Sequence, residues 1–219
     1  MTQIQQSEPI VYQGQFGEFT ITQSDRTGVI IYRAGLMVAA LSFALGIWLL
    51  LSQSATPTIL NALTLLYACF CVALGVSLAT IHIYMVQLHR GLQIFWAVGV
   101  LASVVLAVQS GEPLALTVYH HPLTILGIGF TFAALTGIYF KEAFCFNRLE
   151  TKVLTPLVPL LLLGHLFGFL PMEMKPILLL IWAIFFLVFA VRKTMQAIPA
   201  DIGDKSVFEY LKQKRSVQA

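Results

Sequence analysis

Histidines are the side chains in this sequence best suited to hold a cofactor near its apolar segments. His165 lies inside a long apolar run, and His120 and His121 precede Pro122 in what we expect to be the same membrane leaflet. Imidazole nitrogens ligate metals and tetrapyrroles, and an ionisable group inside a membrane segment is a default functional candidate. We therefore predict a cofactor site at His165, His120 and His121, where the three side chains could surround the edge of a tetrapyrrole. A neutral His165 bonded to a neighbouring helix, and solvated histidines at 120 and 121, are the alternatives.

Catalytic and metal-ligating patterns are weak elsewhere in the sequence. Cys69 and Cys71 point to different faces of one helix, and we assign the cysteines no metal or redox role. Ser77 is expected in the opposite half of the membrane from His165, which excludes a nucleophile–base pair. The apolar runs contain no Asp or Glu. We therefore predict no enzymatic activity and no metal site.

Charged and aromatic residues alternate in the segment 141–152, which we predict to be a loop outside the membrane. Such a loop suits local exposed ion pairs or a docking surface for a partner, and its composition does not decide between them. Near the C-terminus, an amphipathic helix over 205–215 would lie on the membrane surface or dock on a protein. The predicted docking residues are Lys141, Glu142, Phe144, Phe146, Arg148, Phe208 and Leu211.

Six apolar segments must position all of these residues. The chain is 58% hydrophobic and only 11% charged, against about 25% charged in soluble domains, so it is an integral membrane protein. Each segment approaches the ~20 residues that a helix needs to cross a bilayer. We predict an all-α bundle of six transmembrane helices. The predicted segments are 34–52, 59–81, 91–109, 123–140, 153–170 and 176–191.

The basic residues predict how this bundle is oriented. With six crossings, 12 of the 13 Lys and Arg residues fall on the side of the two termini, and only Lys175 falls on the other side. Cationic loops resist translocation, so both termini are expected on the cytoplasmic or stromal side. The net charge of +3 is satisfied by anionic lipid headgroups and indicates no nucleic-acid partner.

Polar segments flank the bundle and complete the predicted domain organisation. Residues 1–28 form an N-terminal arm that is extended or a β-hairpin, because β-branched and aromatic residues alternate with glycines. Residues 29–193 form the bundle, and residues 194–219 form a tail with a short amphipathic helix. Asp25 is predicted to cap the first helix, and small residues four apart in four segments predict close helix packing.

Several motifs along the chain resemble one known family. They are IHIYMVQLHR at 81–90, GIYFKEAFCF at 137–146 continuing to His165, YQGQFG at 12–17 and DIGDKSVF at 201–208. The chain resembles the cyanobacterial and plastid integral membrane proteins grouped as domain of unknown function 2301. The resemblance implies a photosynthetic host and a thylakoid membrane location. It implies no activity and no catalytic residue.

We accordingly expect a non-enzymatic accessory protein that assists the assembly or stabilisation of a photosynthetic complex, with photosystem II preferred. Its expected partners are the lipid bilayer and photosystem subunits or other assembly factors. It would act by lateral helix packing and by docking through its cytoplasmic segments. The alternative is a small transporter, or a carrier of quinone, chlorophyll or another tetrapyrrole pigment, centred on His165.

Overall fold

The computed structural model describes residues 10–218 of the chain, and its main elements are helices long and apolar enough to cross a membrane. The six long helices are α1 (Gln23–Ser52), α2 (Pro57–Thr80), α3 (Val86–Gln109), α5 (Ile125–Phe146), α6 (Leu149–Leu166) and α7 (Met174–Met195). The shorter elements are β1 (Val11–Gly14), β2 (Gly17–Thr20), α4 (Leu114–His120), a 3-10 turn at Pro122–Thr124, α8 (Ile198–Ile202) and α9 (Lys205–Gln218). The predicted all-α fold with six membrane helices and a short N-terminal hairpin is confirmed.

The two ends of the bundle differ in their content of basic residues. We call the end with residues 10–22, 81–85, 147–148 and 196–218 the basic end, because most lysines and arginines of the chain lie in these segments or in the adjoining helix ends. The opposite end holds residues 53–56, 110–124 and 167–173. Both termini of the described chain therefore meet at the basic end.

Helix α1 starts at a capping box, which corrects the expected role of Asp25. Thr22 is the cap residue, and its hydroxyl accepts the Asp25 backbone N–H at 3.2 Å. The Asp25 carboxylate in turn accepts the Thr22 backbone N–H at 2.8 Å. Asp25 thus lies three residues inside the helix, where an acidic group also favours the positive end of the helix dipole.

The core of the bundle lies between α1, α2, α5, α6 and α7, where large side chains are fully buried. An aromatic cluster fills its centre: Phe43 lies 4.4 Å from Trp182, and Phe132 lies 5.3 Å from Trp182, between ring centroids. Tyr139 packs edge-on against Phe186 at 5.5 Å. Offset and edge-on contacts of this kind stabilise a bundle beyond simple burial, because the ring edges meet the negative ring faces.

Small residues allow the helix backbones to approach, as their spacing predicted. A side chain on Gly99 of α3 would lie 2.3 Å from the Thr131 backbone nitrogen of α5, so only glycine fits there. Gly35 of α1 faces the Ala73 carbonyl of α2 in the same way. Gly164 and Gly168 do not share one helix face, because α6 ends at Leu166 and Gly168 adopts a φ of +69°.

The predicted loop over 141–152 is wrong. Helix α5 continues to Phe146, and α6 begins at Leu149, so only Asn147 and Arg148 connect them. Asn147 adopts the left-handed conformation with a φ of 53°, which asparagine tolerates better than most residues. The helix ends were missed because charged residues interrupt the apolar pattern there while the helical backbone continues.

Candidate functional site

Five charged side chains form a buried cluster at the basic end, which we call the charge cluster. Arg33 comes from α1, Lys141 and Glu142 from the end of α5, Lys193 from the end of α7, and Asp201 from α8. All five are at least nine-tenths buried. Because charged residues are almost never fully buried without partners, this group is the most distinctive polar site among the described residues.

Lys193 lies at the centre of the charge cluster. Its ammonium donates to the Glu142 Oε2 atom at 2.7 Å and forms a second ion pair with Asp201. Lys141 Nζ contacts Glu142 Oε1 at 2.9 Å, so the Glu142 carboxylate bridges two lysines. The Tyr32 hydroxyl donates to the same carboxylate at 3.4 Å. These contacts join α1, α5 and α7 at one point.

Asp201 bridges the tail to the first helix. Its Oδ2 atom accepts from Arg33 Nε at 2.8 Å and from Arg33 Nη2 at 2.6 Å, so two guanidinium donors share one carboxylate oxygen in charge-assisted hydrogen bonds. Arg33 Nη2 also donates to the Ala197 carbonyl at 3.2 Å. Pro199 in the first turn of α8 supports this short helix, since its fixed φ suits a helix start.

Phe146 forms an aromatic surface against the cations of the charge cluster. Lys193 Nζ lies 4.3 Å from its ring centroid, and Lys141 Nζ lies 5.5 Å away. The Arg148 guanidinium lies 5.7 Å from the same ring. Cation–π contacts stabilise partly desolvated cations, so Phe146 offsets part of the excess positive charge of three cations against two carboxylates.

A second, shallower set of ionic contacts lies beside the charge cluster. Arg192 Nη1 contacts Glu150 Oε2 at 2.9 Å, and Arg148 donates to the side-chain oxygen of Gln196. Arg148 Nη1 and Glu150 Oε1 face each other across 4.0 Å, and neither atom has a hydrogen-bond partner among the described residues. This set ties the start of α6 to the end of α7.

The arrangement of the charge cluster favours a structural role over catalysis. Removing an ion from water costs several kcal/mol, and only well-placed partners offset that cost. Here every buried carboxylate oxygen of Glu142 and Asp201 meets a donor. Chemistry on a substrate would need an open face next to these groups, whereas Glu142 and Lys193 are fully covered. The cluster therefore fixes the positions of the segments around it.

The hairpin, α9 and the 81–85 connection fold together at the basic end, and we call this unit the cap. The Gln15 backbone N–H donates to Asp204 at 2.6 Å, and the Phe16 backbone N–H donates to the Ser206 hydroxyl at 3.0 Å. The rings of Phe16 and Tyr210 stack at 4.0 Å between centroids. The arm and the tail, nearly 200 residues apart in sequence, therefore form one surface.

Tyr84 joins the parts of the cap, and Lys205 attaches the cap to the bundle. The Tyr84 hydroxyl accepts the Asp204 backbone N–H, and its ring packs 4.7 Å from Phe208. Lys205 Nζ donates to Asp25 Oδ2 at 2.8 Å and to the Thr20 carbonyl at 3.1 Å. The 81–85 connection is thus bonded to the tail within the cap, and the cap is bonded to α1.

Three groups in and near the cap have shifted pKa values. Hydrogen bonds, chiefly from the Gln15 backbone and the Ser206 side chain, lower the pKa of Asp204. Burial raises the pKa of Tyr84. Burial lowers the pKa of His82, which keeps its imidazole neutral at physiological pH despite the nearby Asp25 carboxylate. The cap is therefore held by an ionised Asp204 and a neutral Tyr84 at that pH.

The histidines predicted to hold a cofactor lie at the opposite end. His165 Nε2 lies 3.3 Å from the Val118 carbonyl, and its Nδ1 lies 3.4 Å from Lys175 Nζ. His120 is exposed, and its Nδ1 lies 3.6 Å from Glu112. His121 is exposed at the start of the 3-10 turn.

The structure brings His165 near the α4 segment that carries His120. Tyr119 lies between them, with its ring 6.4 Å from His165 and 5.7 Å from His120. Among the described residues, no group of three or more His, Cys, Asp or Glu side chains is arranged to hold a metal ion. Cofactor binding at His165, His120 and His121 stays a prediction.

The predicted docking residues lie in several different environments. Lys141 and Glu142 are inside the charge cluster, so their ion pairs are buried rather than exposed as expected. Phe146 and Arg148 also face this cluster. Phe208 packs on Tyr84 and Leu211 is half-buried, whereas Phe144 is 83% exposed. A docking role for these residues stays a prediction.

Sequence reasoning missed the charge cluster as a site. One signal was available: Lys141-Glu142 and Arg192-Lys193 directly follow long apolar runs, where their charges would lie near the membrane boundary. The pairing itself joins residues as distant as Arg33 and Asp201, 168 positions apart. The pattern of residues within one helix does not indicate which distant residue will pair with it.

The comparisons with known proteins agree with this membrane architecture. No curated protein and no solved structure matches the chain. A family model described as "Uncharacterized integral membrane protein (DUF2301)" matches residues 76–210, from the end of α2 to the exposed Tyr210 of the cap. The match covers more than half of the 219 residues. The chain therefore belongs to the DUF2301 family of integral membrane proteins.

Proposed function

We propose that this protein is a non-enzymatic accessory protein that assists the assembly or stabilisation of a photosynthetic membrane complex, with photosystem II preferred. The resemblance of its arm, central motifs and tail to cyanobacterial and plastid proteins supports the host and the thylakoid location in this proposal. The partner surfaces are the cap and the lateral faces of the bundle.

The cap is the observation that carries the proposal. Its Phe16 and Tyr210 rings stack on each other while remaining 47% and 40% exposed. Aromatic residues are enriched at protein–protein interfaces, because they supply contact area at a low cost in side-chain entropy. Lys212 and Lys214 are exposed on α9 in the same cap. A prearranged aromatic surface with basic neighbours suits docking onto an acidic partner.

The orientation in this proposal follows from charge. The basic end carries the concentrated lysines and arginines, and the positive-inside rule assigns such an end to the cytoplasm or stroma. The cap would then face the compartment in which membrane complexes receive their newly made subunits. The charge cluster beneath it keeps the cap in a fixed position relative to the helices.

Deletion and complementation in a cyanobacterial host test the proposal. Deletion is expected to increase assembly intermediates of photosystem II on native gels, and the wild-type gene is expected to restore the normal pattern. Tyr210→Ser should restore it poorly, whereas Glu173→Gln, a change at an exposed residue of the opposite end, should restore it fully. Unchanged intermediates after deletion would refute the assembly role.

Affinity purification distinguishes loss of docking from loss of folding. The wild-type protein should copurify with photosystem subunits or other assembly factors. Tyr210→Ser should lose these partners while its bundle unfolds at the wild-type temperature, since Tyr210 lies outside the helix core. A colourless preparation without partners would count against the proposal, and a stoichiometric pigment would favour the carrier alternative.

A further inference from the structure

We propose that the groove between α5 and α6 binds an anionic phospholipid of the phosphatidylglycerol class. The headgroup would lie at Lys152, and one acyl chain would follow the groove toward the middle of the membrane. This site is separate from the cap and does not depend on the proposed function.

The groove has two parts that follow one another along the same pair of helices. The part near the basic end has a volume of about 290 Å³ and is lined by Phe140, Ala143, Phe144, Lys152, Thr155 and Pro156. The deeper part has a volume of about 340 Å³, with Ala133 of α5 and Pro159 and Leu162 of α6 in its walls. Small residues on α5 and prolines on α6 leave this space open.

Lys152 supplies the charge that selects an anion. It is exposed and, among residues 10–218, it forms no ion pair. It also lies in the first turn of α6, where a cation is unfavourable because the helix dipole is positive there. A phosphate at this position would neutralise the ammonium and interact favourably with the dipole.

Two prolines provide acceptors for a headgroup that carries hydroxyls. Pro156 and Pro159 have no backbone N–H, so the carbonyls of Lys152 and Thr155 lack the donor that a regular helix would place four residues later. Lys152, Thr155 and Pro156 all line the same part of the groove. A glycerol headgroup offers a negative phosphate for Lys152 and hydroxyl donors for these carbonyls.

The dimensions fit an acyl chain. Lys152 and Leu162 are ten residues apart, which corresponds to about 15 Å of helix rise. Half of a typical hydrocarbon core is also about 15 Å. The parallel rings of Phe140 and Phe144, 6.5 Å apart between centroids, form one wall near the headgroup.

Lipid retention measured by native mass spectrometry tests the proposal. The full-length protein is reconstituted in nanodiscs of phosphatidylglycerol and phosphatidylcholine in equal amounts and then released. Wild type should retain phosphatidylglycerol over phosphatidylcholine by about fivefold, the preference expected for one lysine near a headgroup. Lys152→Gln should abolish this preference, and Lys212→Gln should preserve it, since Lys212 lies in the cap.

Two further arms examine the groove and the headgroup. Ala143→Leu fills the part of the groove near the basic end and should reduce retention of both lipids, whatever their charge. Phosphatidylmethanol is anionic but has no headgroup hydroxyls, so it should be retained less than phosphatidylglycerol. Equal retention of phosphatidylglycerol and phosphatidylcholine by wild type, or an unchanged preference in Lys152→Gln, would overturn the site. Equal retention of phosphatidylmethanol and phosphatidylglycerol would show that the site does not recognise the glycerol hydroxyls.

Discussion

Lys193 and Glu142 form an ion pair of 2.7 Å in which both side chains are fully buried. The pair joins the ends of α7 and α5, and each member has a second oppositely charged partner, Asp201 for Lys193 and Lys141 for Glu142. A chain of alternating charges therefore runs from Lys141 through Glu142, Lys193 and Asp201 to Arg33. This chain holds α1, α5, α7 and α8 in one arrangement, because each ion pair forms only when the two helices that carry it are correctly placed.

Glu142→Gln is expected to destabilise the bundle by about 3 kcal/mol, because it leaves buried lysines without their shared carboxylate. Chemical unfolding in detergent micelles measures this loss. Glu173→Gln removes an exposed carboxylate at the opposite end and should change stability by less than about 0.5 kcal/mol. A double-mutant cycle with Lys193→Gln should show coupling above about 1 kcal/mol. Additive losses of stability in the double mutant would show that Glu142 and Lys193 are not energetically coupled.

Acid should release the cap through Asp204. Its pKa lies below the ordinary value of 3.8, so the carboxylate stabilises the cap above about pH 4, and this stabilisation is lost as the pH falls through the lower pKa of the folded state. The amide resonance of Gln15, which donates to Asp204, should report the transition by NMR. Asp204→Asn should abolish it, whereas Glu209→Gln, at an exposed position of α9, should leave it unchanged.

Gly99→Ala should separate α3 from α5. The added methyl group would lie 2.2 Å from Thr131 Oγ1 and 2.3 Å from the Thr131 backbone nitrogen, so one helix must move. Overpacking of this kind costs about 1–3 kcal/mol. Gly91→Ala in the same helix meets no atom within 4 Å and should be neutral or slightly stabilising. Equal free energies of unfolding for Gly99→Ala and Gly91→Ala would contradict the close approach of α3 and α5 at Gly99.

His165→Leu should loosen α4 from α6. The substitution removes contacts with the Val118 carbonyl and Lys175, and hydrogen exchange in residues 114–120 should therefore increase. Lys152→Gln, at the other end of α6, should leave exchange in α4 unchanged. Absorbance spectra of the same preparations test the cofactor prediction directly, since a band lost only in His165→Leu would identify a bound pigment.

The long apolar helices and the hairpin were predictable because their signals are local. Hydropathy marks a helix that must cross lipid, and alternating β-branched and aromatic residues with glycines mark a hairpin such as 11–20. Close packing at Gly99 was likewise suggested by its spacing from Ser103, one helical turn away. These features depend on neighbours within a few residues.

The ends of α5 and α6 were not predictable by the same means. A hydropathy pattern stops at Lys141 because an unpaired charge is costly in lipid, yet Lys141 is tolerated within α5 because Glu142 and Phe146 compensate it. Likewise the attachment of the arm to the tail depends on Gln15 meeting Asp204, 189 positions away. Only the fold brings such partners together.

The position of Asp201 after all six long helices has a consequence for biosynthesis. Arg33 enters the membrane early in translation, but its carboxylate partner leaves the ribosome only after all six long helices. Until then Arg33 and Lys193 lack this counter-ion, and a prematurely terminated polypeptide never obtains it. A polypeptide truncated before residue 201 is therefore expected to be strongly destabilised, because it leaves a buried arginine without its carboxylate.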